Sequence, residues 1–161
     1  MAEIAPVETG PVFVLRACPE LPSDPCRAVA RGGWTALWMG PDEWLVIGAA
    51  TPPVPTRAAV DVSHRDLWFD VTGSDAAELL AGGVPLDLDG RAFPVGMCTR
   101  TVFEKAGIVL WRVETGRWRI GVARSFAPYF RALLAAIAAA NGIPLADAAP
   151  VQPMVTPAPA P

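Results

Sequence analysis

Apolar and polar positions alternate along much of the chain, and this period of two predicts a protein rich in β-strands. Residues 34–38 and 44–48 are mostly apolar and flank a Gly-Pro-Asp turn, so they predict a β-hairpin. The other strand-like runs are residues 12–15, 58–62, 66–72, 97–103, 108–113 and 118–122. A short Glu-Thr-Gly turn joins the last two runs, which favours antiparallel pairing.

Two of these strands are expected to have one buried face and one polar face. The apolar face of residues 66–72 holds Leu67, Phe69 and Val71, and the opposite face holds Asp66, Asp70 and Thr72, with Trp68 as the exception. Arg117 and Arg119 similarly lie opposite the apolar residues Trp118, Ile120 and Val122. Since neighbouring side chains on a strand point to opposite faces, Asp70 and both arginines are expected to face solvent.

Two segments show the helical period. Ser74 is expected to cap a short helix that Gly82-Gly83 ends, and Ser125 to cap a longer helix that Asn141-Gly142 ends. The apolar stripe of the first helix is Ala76, Leu79 and Leu80. That of the second is Phe126, Phe130, Leu133, Leu134 and Ile137. The predicted fold class is therefore α+β, an antiparallel sheet with two packed helices.

The chain divides into three parts by composition. Residues 1–33 are rich in proline and are expected to form an extended N-terminal segment, lying over the domain or over a partner. Residues 34–143 are expected to form a single α+β domain. Residues 144–161 are a Pro/Ala-rich tail that is expected to be disordered or draped over other structure.

Composition limits the classes of partner. Of the 161 residues, 52% are hydrophobic, which is ample for one core, and the net charge of −3 predicts no attraction to nucleic acid or anionic membranes. The N-terminus lacks the pattern of a signal peptide, and no uncharged apolar run reaches the ~18 residues that span a bilayer. A cytoplasmic location is expected.

Candidate catalytic and metal-binding groups are few. His64 is the sole histidine; its neighbour Ser63 is poorly placed to pair with it, and a turn histidine is the preferred interpretation over a catalytic one. Cys18, Cys26 and Cys98 form no Cys-x-x-Cys pair, so structural thiols are favoured over a zinc or reactive site. Asp87 and Asp89 are expected to form a turn, and no phosphate-binding glycine loop is present.

Arginine and tryptophan side chains suggest contact with another protein. Arg117, Arg119 and Arg124 suit solvated positions or a partner interface better than an anion site. Trp34, Trp38 and Trp44 suit the core or an interface better than a ligand cage. The candidate partner-interface residues are Trp38, Trp44, His64, Arg65, Arg117 and Arg119. No residue of this chain is predicted to be catalytic, to bind a cofactor or to bind a metal.

Two motifs resemble folate-dependent aminomethyltransferases such as the glycine-cleavage T-protein. They are Asp-Val-Ser-His at 61–64 and Gly-x-Asp-Ala-x-x-Leu-Leu at 73–80, separated by a strand. The resemblance implies an aminomethyltransferase-like, folate-binding type of fold. In that family an acidic stretch meets the folate. The corresponding residues here are 106–111, where Leu110 and Trp111 replace the acids, and an apolar side chain cannot act as a general acid or base.

A closer resemblance, to the gamma-subunit family of heterotetrameric sarcosine oxidases, covers residues from Trp34 to about Gly142. Its motifs are Leu-Trp-Met-Gly-Pro-Asp-Glu-Trp-Leu at 37–45, residues 60–65, Pro-Leu-Asp-Leu at 85–88, Arg-Ala-Phe-Pro-x-Gly-x-Cys at 91–98, and Arg-Ser-Phe-Ala-x-Tyr at 124–129. The resemblance implies a small non-catalytic subunit that docks on and stabilises a large alpha subunit beside beta and delta subunits. Whether the chain itself counts as an enzyme is left open.

The same resemblance implies the reaction and its cofactors. The complex would oxidatively demethylate sarcosine, an N-methyl amino acid, and transfer the methylene group to tetrahydrofolate. FAD, FMN, NAD, tetrahydrofolate and zinc are expected in the partner subunits. Two alternatives remain open at this point: a subunit of a related N-methylglutamate-type dehydrogenase, and a free-standing folate-binding protein.

Overall fold

Strand pairing builds two sheets in the computed structural model, which describes residues 1–147. The strands are β1 (Ala2–Val7), β2 (Val12–Arg16), β3 (Ala28–Arg31), β4 (Trp34–Gly40), β5 (Glu43–Ile47), β6 (Ala58–Asp61), β7 (Asp66–Gly73), β8 (Cys98–Phe103), β9 (Ala106–Glu114), β10 (Arg117–Ala123) and β11 (Leu145–Asp147). The helices are α1 (Ala76–Ala81) and α2 (Ala127–Ala140), and a 3-10 turn at Arg124–Phe126 leads into α2.

The first sheet has six strands in the order β11-β1-β7-β10-β9-β8, and the second has five in the order β3-β4-β5-β2-β6. Neighbouring strands are antiparallel, except that β11 runs parallel to β1. The predicted α+β class, with antiparallel sheet and two helices, is confirmed. The hairpin predicted around Gly-Pro-Asp is the β4–β5 pair.

Both helices pack on one face of the six-stranded sheet. Phe130 of α2 lies beside Phe69 and Phe103, with ring centroids 5.7 Å and 5.0 Å away, and all three side chains are buried. Trp118 is fully buried in the same layer. Large aromatic side chains bury much apolar surface each, so this layer contributes strongly to stability.

The five-stranded sheet covers the other face of the six-stranded sheet. Trp68 and Val109 from the six-stranded sheet meet Leu37 and Leu45 from the five-stranded one. An ionic bridge also joins the two sheets, because Glu43 binds both Arg16 of its own sheet and Arg100 on β8. The six-stranded sheet is therefore the middle layer of three.

The N-terminal segment differs from the expectation for residues 1–33. β1 lies between β7 and β11 inside the middle sheet, and β3 pairs with β4 at the edge of the other sheet; β2, which the sequence does predict, lies between β5 and β6. The direction of the N–H groups along β1 explains how Pro6 fits in this strand. The N–H of Ala2 points to the β11 side and donates to the Pro144 carbonyl at 2.9 Å. By alternation the Pro6 nitrogen faces that same side, beyond Ile4–Asp147, the last β1–β11 pair among the described residues, so no described ladder bond needs its missing N–H.

The start of the predicted tail also differs from expectation. Leu145–Asp147 forms β11, which pairs in parallel with Ala2–Ile4. Arg131 on α2 donates from one nitrogen to both carboxylate oxygens of Asp147, each at 2.6 Å. The interpretation of the tail beyond this point concerns residues 148–161, which lie outside the described residues.

The N-terminal caps of both helices and the burial of two apolar side chains differ from the sequence prediction. Ser74 donates to the carboxylate of Asp75 at 2.8 Å and leaves α1 without a side-chain cap. Ser125 lies within the 3-10 turn, and α2 also begins without a side-chain cap. Leu67 and Phe126, both predicted to be buried, are exposed because they lie beyond the area that α2 and the sheets cover.

Gly121 allows Trp68 to pack flat on β10 between the two sheets. A methyl group at Gly121 would lie 2.8–2.9 Å from three ring carbons of Trp68, whereas one at Gly107 on β9 would have no atom within 4 Å. We expect Gly121→Ala to lower the free energy of unfolding by about 1–3 kcal/mol through overpacking, measured by urea denaturation. Gly107→Ala is the matched control, and equal destabilisation by both would contradict this packing.

Candidate partner-binding surface

A turn after β6 carries the Asp-Val-Ser-His motif. The hydroxyl of Ser63 donates to the carboxylate of Asp61 at 2.6 Å and accepts the backbone N–H of Val12 at 2.9 Å. The backbone N–H of Ser63 donates to the same carboxylate at 2.9 Å. Ser63 is therefore fully used in holding the turn against β2 and is bonded to Asp61, whereas His64 is exposed.

The 124–129 motif joins this turn through backbone atoms. The N–H of Arg124 donates to the carbonyl of Arg65 at 3.0 Å, and its Nε donates to the carbonyl of His64 at 3.2 Å. The guanidinium of Arg65 makes two bonds to the Asp66 carboxylate, at 2.9 Å and 3.0 Å. The structure thus brings two separate motifs together and leaves the imidazole of His64 and the side chain of Arg65 at the surface.

Large apolar side chains lie exposed around this junction. Leu67 is 36% exposed, Phe126 45% and Tyr129 39%, and the two aromatic rings meet edge to face at 6.4 Å between centroids. We define the motif surface as the exposed side chains of His64, Arg65, Leu67, Arg124, Phe126 and Tyr129. Apolar and aromatic groups grouped with arginines at a surface are typical of a protein–protein contact.

An apolar groove borders the motif surface where β1 and β7 meet the start of α2. It has a volume of about 610 Å³. Its lining includes Pro6, Leu67, Phe69, Pro128, Arg124 and Arg131. Arg131 lies over the ring of Phe69 at 5.7 Å, so its charge stands beside an otherwise apolar wall.

The other predicted interface residues lie elsewhere. Trp44 is only 5% exposed, because it packs on the outer face of the five-stranded sheet beneath a loop that contains Cys18 and Leu21. Trp38 lies opposite Trp44 across the β4–β5 hairpin and is half-buried. The structure does not bring these tryptophans together with His64 and Arg65.

Arg117 and Arg119 bind a buried carboxylate. Asp70 is 1% exposed; Nε of Arg117 donates to its Oδ2 at 2.8 Å, and Nε of Arg119 donates to its Oδ1 at 2.8 Å. Burial acts to lower the pKa of Arg117, but Asp70 and Glu114 outweigh it and hold that pKa above its usual value. The predicted solvent-facing positions are wrong because the second sheet covers this face.

The residues that the resemblance aligns with folate-binding acids lie in the sheet. Leu110 is fully buried beneath the helices, and Trp111 is half-buried under the guanidinium of Arg119 at 5.6 Å. Asp87 and Asp89 form the predicted turn, since Asp87 accepts the N–H of Asp89 at 2.9 Å. Among residues 1–147 no cluster of three His, Cys, Asp or Glu side chains could hold a metal.

The cysteines are free thiols. Cys18 and Cys98 are buried, and Cys26 is half-buried. Burial raises the pKa of the Cys98 thiol to about 12, so it stays protonated, and its Sγ lies 3.7 Å from the carbonyl of Trp38. This environment agrees with the structural interpretation of that residue. In the described part of the chain, no helix has the length and apolar character to span a membrane.

The fold belongs to a known structural class. A chain of the heterotetrameric sarcosine oxidase from Corynebacterium sp. U-96, in complex with pyrrole 2-carboxylate, is similar with a TM-score of 0.74 and 24% identity. The match covers 86% of this chain and 84% of that one. The family model "Sarcosine oxidase, gamma subunit family" matches residues 54–140, more than half of the chain, and the chain belongs to this family.

Curated relatives carry the same description. Sarcosine oxidase subunit gamma of Corynebacterium sp. (strain P-1) is 30% identical over 105 residues, which cover 58% of this chain and 51% of the relative. The subunit gamma of an Arthrobacter species is 30% identical over 104 residues, with the same coverage. The chain thus spans about half the length of the curated relatives it matches. Both segments of the motif surface fall within the family match.

The carboxylate of Asp61 offers a test of the motif turn. Hydrogen bonds from the Ser63 hydroxyl and backbone hold the pKa of Asp61 below its usual value. A lowered pKa adds stability above the unfolded-state pKa, and this stability is lost as the pH falls through the folded-state pKa. We expect Ser63→Ala to raise the pKa of Asp61 toward its ordinary value, measured by NMR titration of the carboxyl carbon. Ser74→Ala, which affects Asp75 instead, should leave the Asp61 pKa unchanged.

The buried carboxylate of Asp70 offers a second test. We expect Asp70→Asn to destabilise the chain by about 3–5 kcal/mol in chemical denaturation, because Arg117 and Arg119 would lose the charge that offsets their burial. The control is Asp147→Asn. Asp147 binds the single arginine Arg131 and is 66% exposed, so this substitution should lower the free energy of unfolding by at most about 1 kcal/mol. Similar losses for both variants would contradict the role given to Asp70.

Proposed function

We propose that this chain is a small, non-catalytic gamma subunit that docks in a heterotetrameric complex of the sarcosine oxidase type. The observation that carries the proposal is the motif surface, where two segments within the family match meet and expose apolar and aromatic side chains. The relatives are described as gamma subunits of sarcosine oxidase, and this supports a complex of that type for this chain. A cytoplasmic location fits this function.

The composition of the motif surface supports docking on a protein. Phe126 and Tyr129 offer aromatic area, and Arg65 and Arg124 offer charge beside it. Aromatic and arginine side chains are enriched among the residues that dominate binding energy at interfaces. Because Arg124 is bonded to backbone carbonyls of the 62–65 turn, the surface is already organised before binding, which lowers the cost of association.

The chemistry of the complex is assigned to the partner subunits. We propose that it oxidatively demethylates sarcosine and transfers the methylene group to tetrahydrofolate. FAD, FMN, NAD, tetrahydrofolate and zinc would be held by the alpha, beta and delta subunits, with alpha as the main contact of this chain. The apolar residues Leu110 and Trp111, where folate-dependent relatives carry acids, support a role without catalysis.

Gentle purification from the native cell tests the proposal. We expect a tagged chain to co-purify with a large flavoprotein and two further subunits, and the preparation to be yellow with a flavin absorption spectrum. Mass spectrometry would identify the partners, and turnover assays with sarcosine and other N-methyl amino acids would identify the substrate. A colourless chain without partners would overturn the proposal, and tetrahydrofolate binding would then be measured.

Two charge substitutions test whether the motif surface is the contact. Leu67→Glu places a charge within this surface, and Val102→Glu places the same charge at a similarly exposed position on the edge strand β8; Leu67 is 36% exposed and Val102 39%. We expect Leu67→Glu to weaken association with the partner subunits by at least about tenfold, and Val102→Glu to leave it near the wild-type value. Equal affinities for the two variants would place the contact elsewhere.

A further inference from the structure

β6 is an edge strand that the rest of the described chain leaves open. It pairs with β2 on one side, and on its other side the five-stranded sheet ends. Its four residues are all exposed, and Val60 keeps 56% of its surface accessible. Val60 lies opposite Val14, which packs between the two sheets, so the strand carries an apolar side chain from the interior out to the open edge.

The ladder between β2 and β6 determines which backbone groups face the open side. Val62 donates its N–H to the carbonyl of Val12 at 2.8 Å, in register with the pairs along β6. Because the backbone groups of successive residues point to alternate sides of a strand, those of Ala59 and Asp61 point away from β2. Within residues 1–147 no strand lies beside them. The open edge therefore presents two N–H groups and two carbonyls to a further strand.

The sequence of β6 does not protect this edge. Sheet edges are usually blocked by proline, lysine, a bulge or a covering segment. β6 reads Ala-Ala-Val-Asp, and the carboxylate of Asp61 accepts two hydrogen bonds from Ser63. The edge strand β8 differs, because the N–H of Cys98 donates to the carbonyl of Cys26 at 2.9 Å and Arg100 carries a charge in its middle. An unblocked edge favours strand addition.

We propose that the partner subunit that contacts the motif surface adds an extended segment to β6, as a sixth strand of the five-stranded sheet. This inference rests on the proposed function. β6 leads directly into the turn that carries His64, and the Cα atoms of Asp61 and His64 can lie at most about 11 Å apart. One partner can therefore reach both surfaces. β6 also falls within the family match.

The surroundings of β6 define the chemistry of the added segment. An apolar side chain would lie beside Val60. Arg57, directly before β6, is exposed and forms no ion pair within the described part of the chain, so an Asp or Glu of the segment would match its charge. The segment is therefore expected to be short, extended, mainly apolar and acidic at one end.

The length of the edge favours a partner subunit over a second copy of this chain. Four residues of edge bury far less than the roughly 1,200 Å² at which specific, stable interfaces begin. A segment of a subunit that is already docked on the motif surface binds β6 as an intramolecular step, which needs little affinity of its own.

Amide hydrogen exchange resolved to single residues tests the added strand directly. In the isolated full chain we expect the N–H of Ala59 to exchange rapidly and that of Val60, which points to β2, to exchange more slowly. In the purified complex we expect exchange at Ala59 to slow by at least about tenfold, because this N–H then donates to the added strand. Unchanged exchange at Ala59 in the complex would overturn the proposal.

Two substitutions at Ala59 separate the backbone from the side chain. Ala59→Pro removes the outward N–H, a change that edge strands tolerate, and we expect it to weaken association with the partner subunits by about tenfold. Ala59→Val keeps the N–H and should leave association near the wild-type value. Arg57→Gln should weaken association by about two- to fivefold. Equal affinities for the two Ala59 variants would contradict the added strand.

The outcomes distinguish this inference from the proposed function. A complex that Leu67→Glu disrupts but in which Ala59 exchanges rapidly would overturn the added strand alone. The absence of any complex would overturn both. Slow exchange at Ala59 in the isolated chain that becomes slower with protein concentration would indicate a second copy on this edge and would overturn the proposal.

Discussion

The middle sheet is covered on both faces, and most features of the fold follow from this constraint. Helices pack on one side and the five-stranded sheet on the other, so a polar group on either face needs a partner within the protein. Asp70 is a buried charged group on the middle sheet, and Arg117 and Arg119 converge on it from the neighbouring strand. Gly121 on β10 has no side chain, and this leaves room for the ring of Trp68 between the sheets.

The alternation of apolar and polar residues predicted where the strands lie better than it predicted which of their faces are buried. In the sequence, the polar residues around Asp70 predict that this face of β7 is exposed to solvent, because the polar face of a strand usually is. The same pattern also fits a buried face on which arginines of the adjacent strand pair with the carboxylate. The pattern cannot separate these cases, since the partners of Asp70 are almost fifty residues distant in the sequence.

The ends of the described chain depend even more on distant contacts. β1 and β11 pair with each other across nearly the whole described sequence. Pro6 lies within β1 and Pro144 directly precedes β11, and proline normally indicates a loop. Pro6 is compatible with β1 because its nitrogen faces away from the β7 partner, beyond the last described pair with β11. This condition is a property of the assembled sheet, so no local signal around Pro6 could have predicted it. The internal strands and both helices needed no such information.

The motif around residues 61–65 shows why residue type alone was a weak guide to the surface. Asp61 and Ser63 are used by the fold, since they bond to each other and to β2. His64 and Arg65 contribute carbonyls to the fold through Arg124, and their side chains remain exposed. Trp44 is of a residue type that is common at interfaces, yet it is buried in this chain. In this turn the backbone carbonyls of His64 and Arg65 hold the neighbouring segment, so the imidazole of His64 stays at the surface, and the Arg65 guanidinium stays partly exposed although it also binds Asp66.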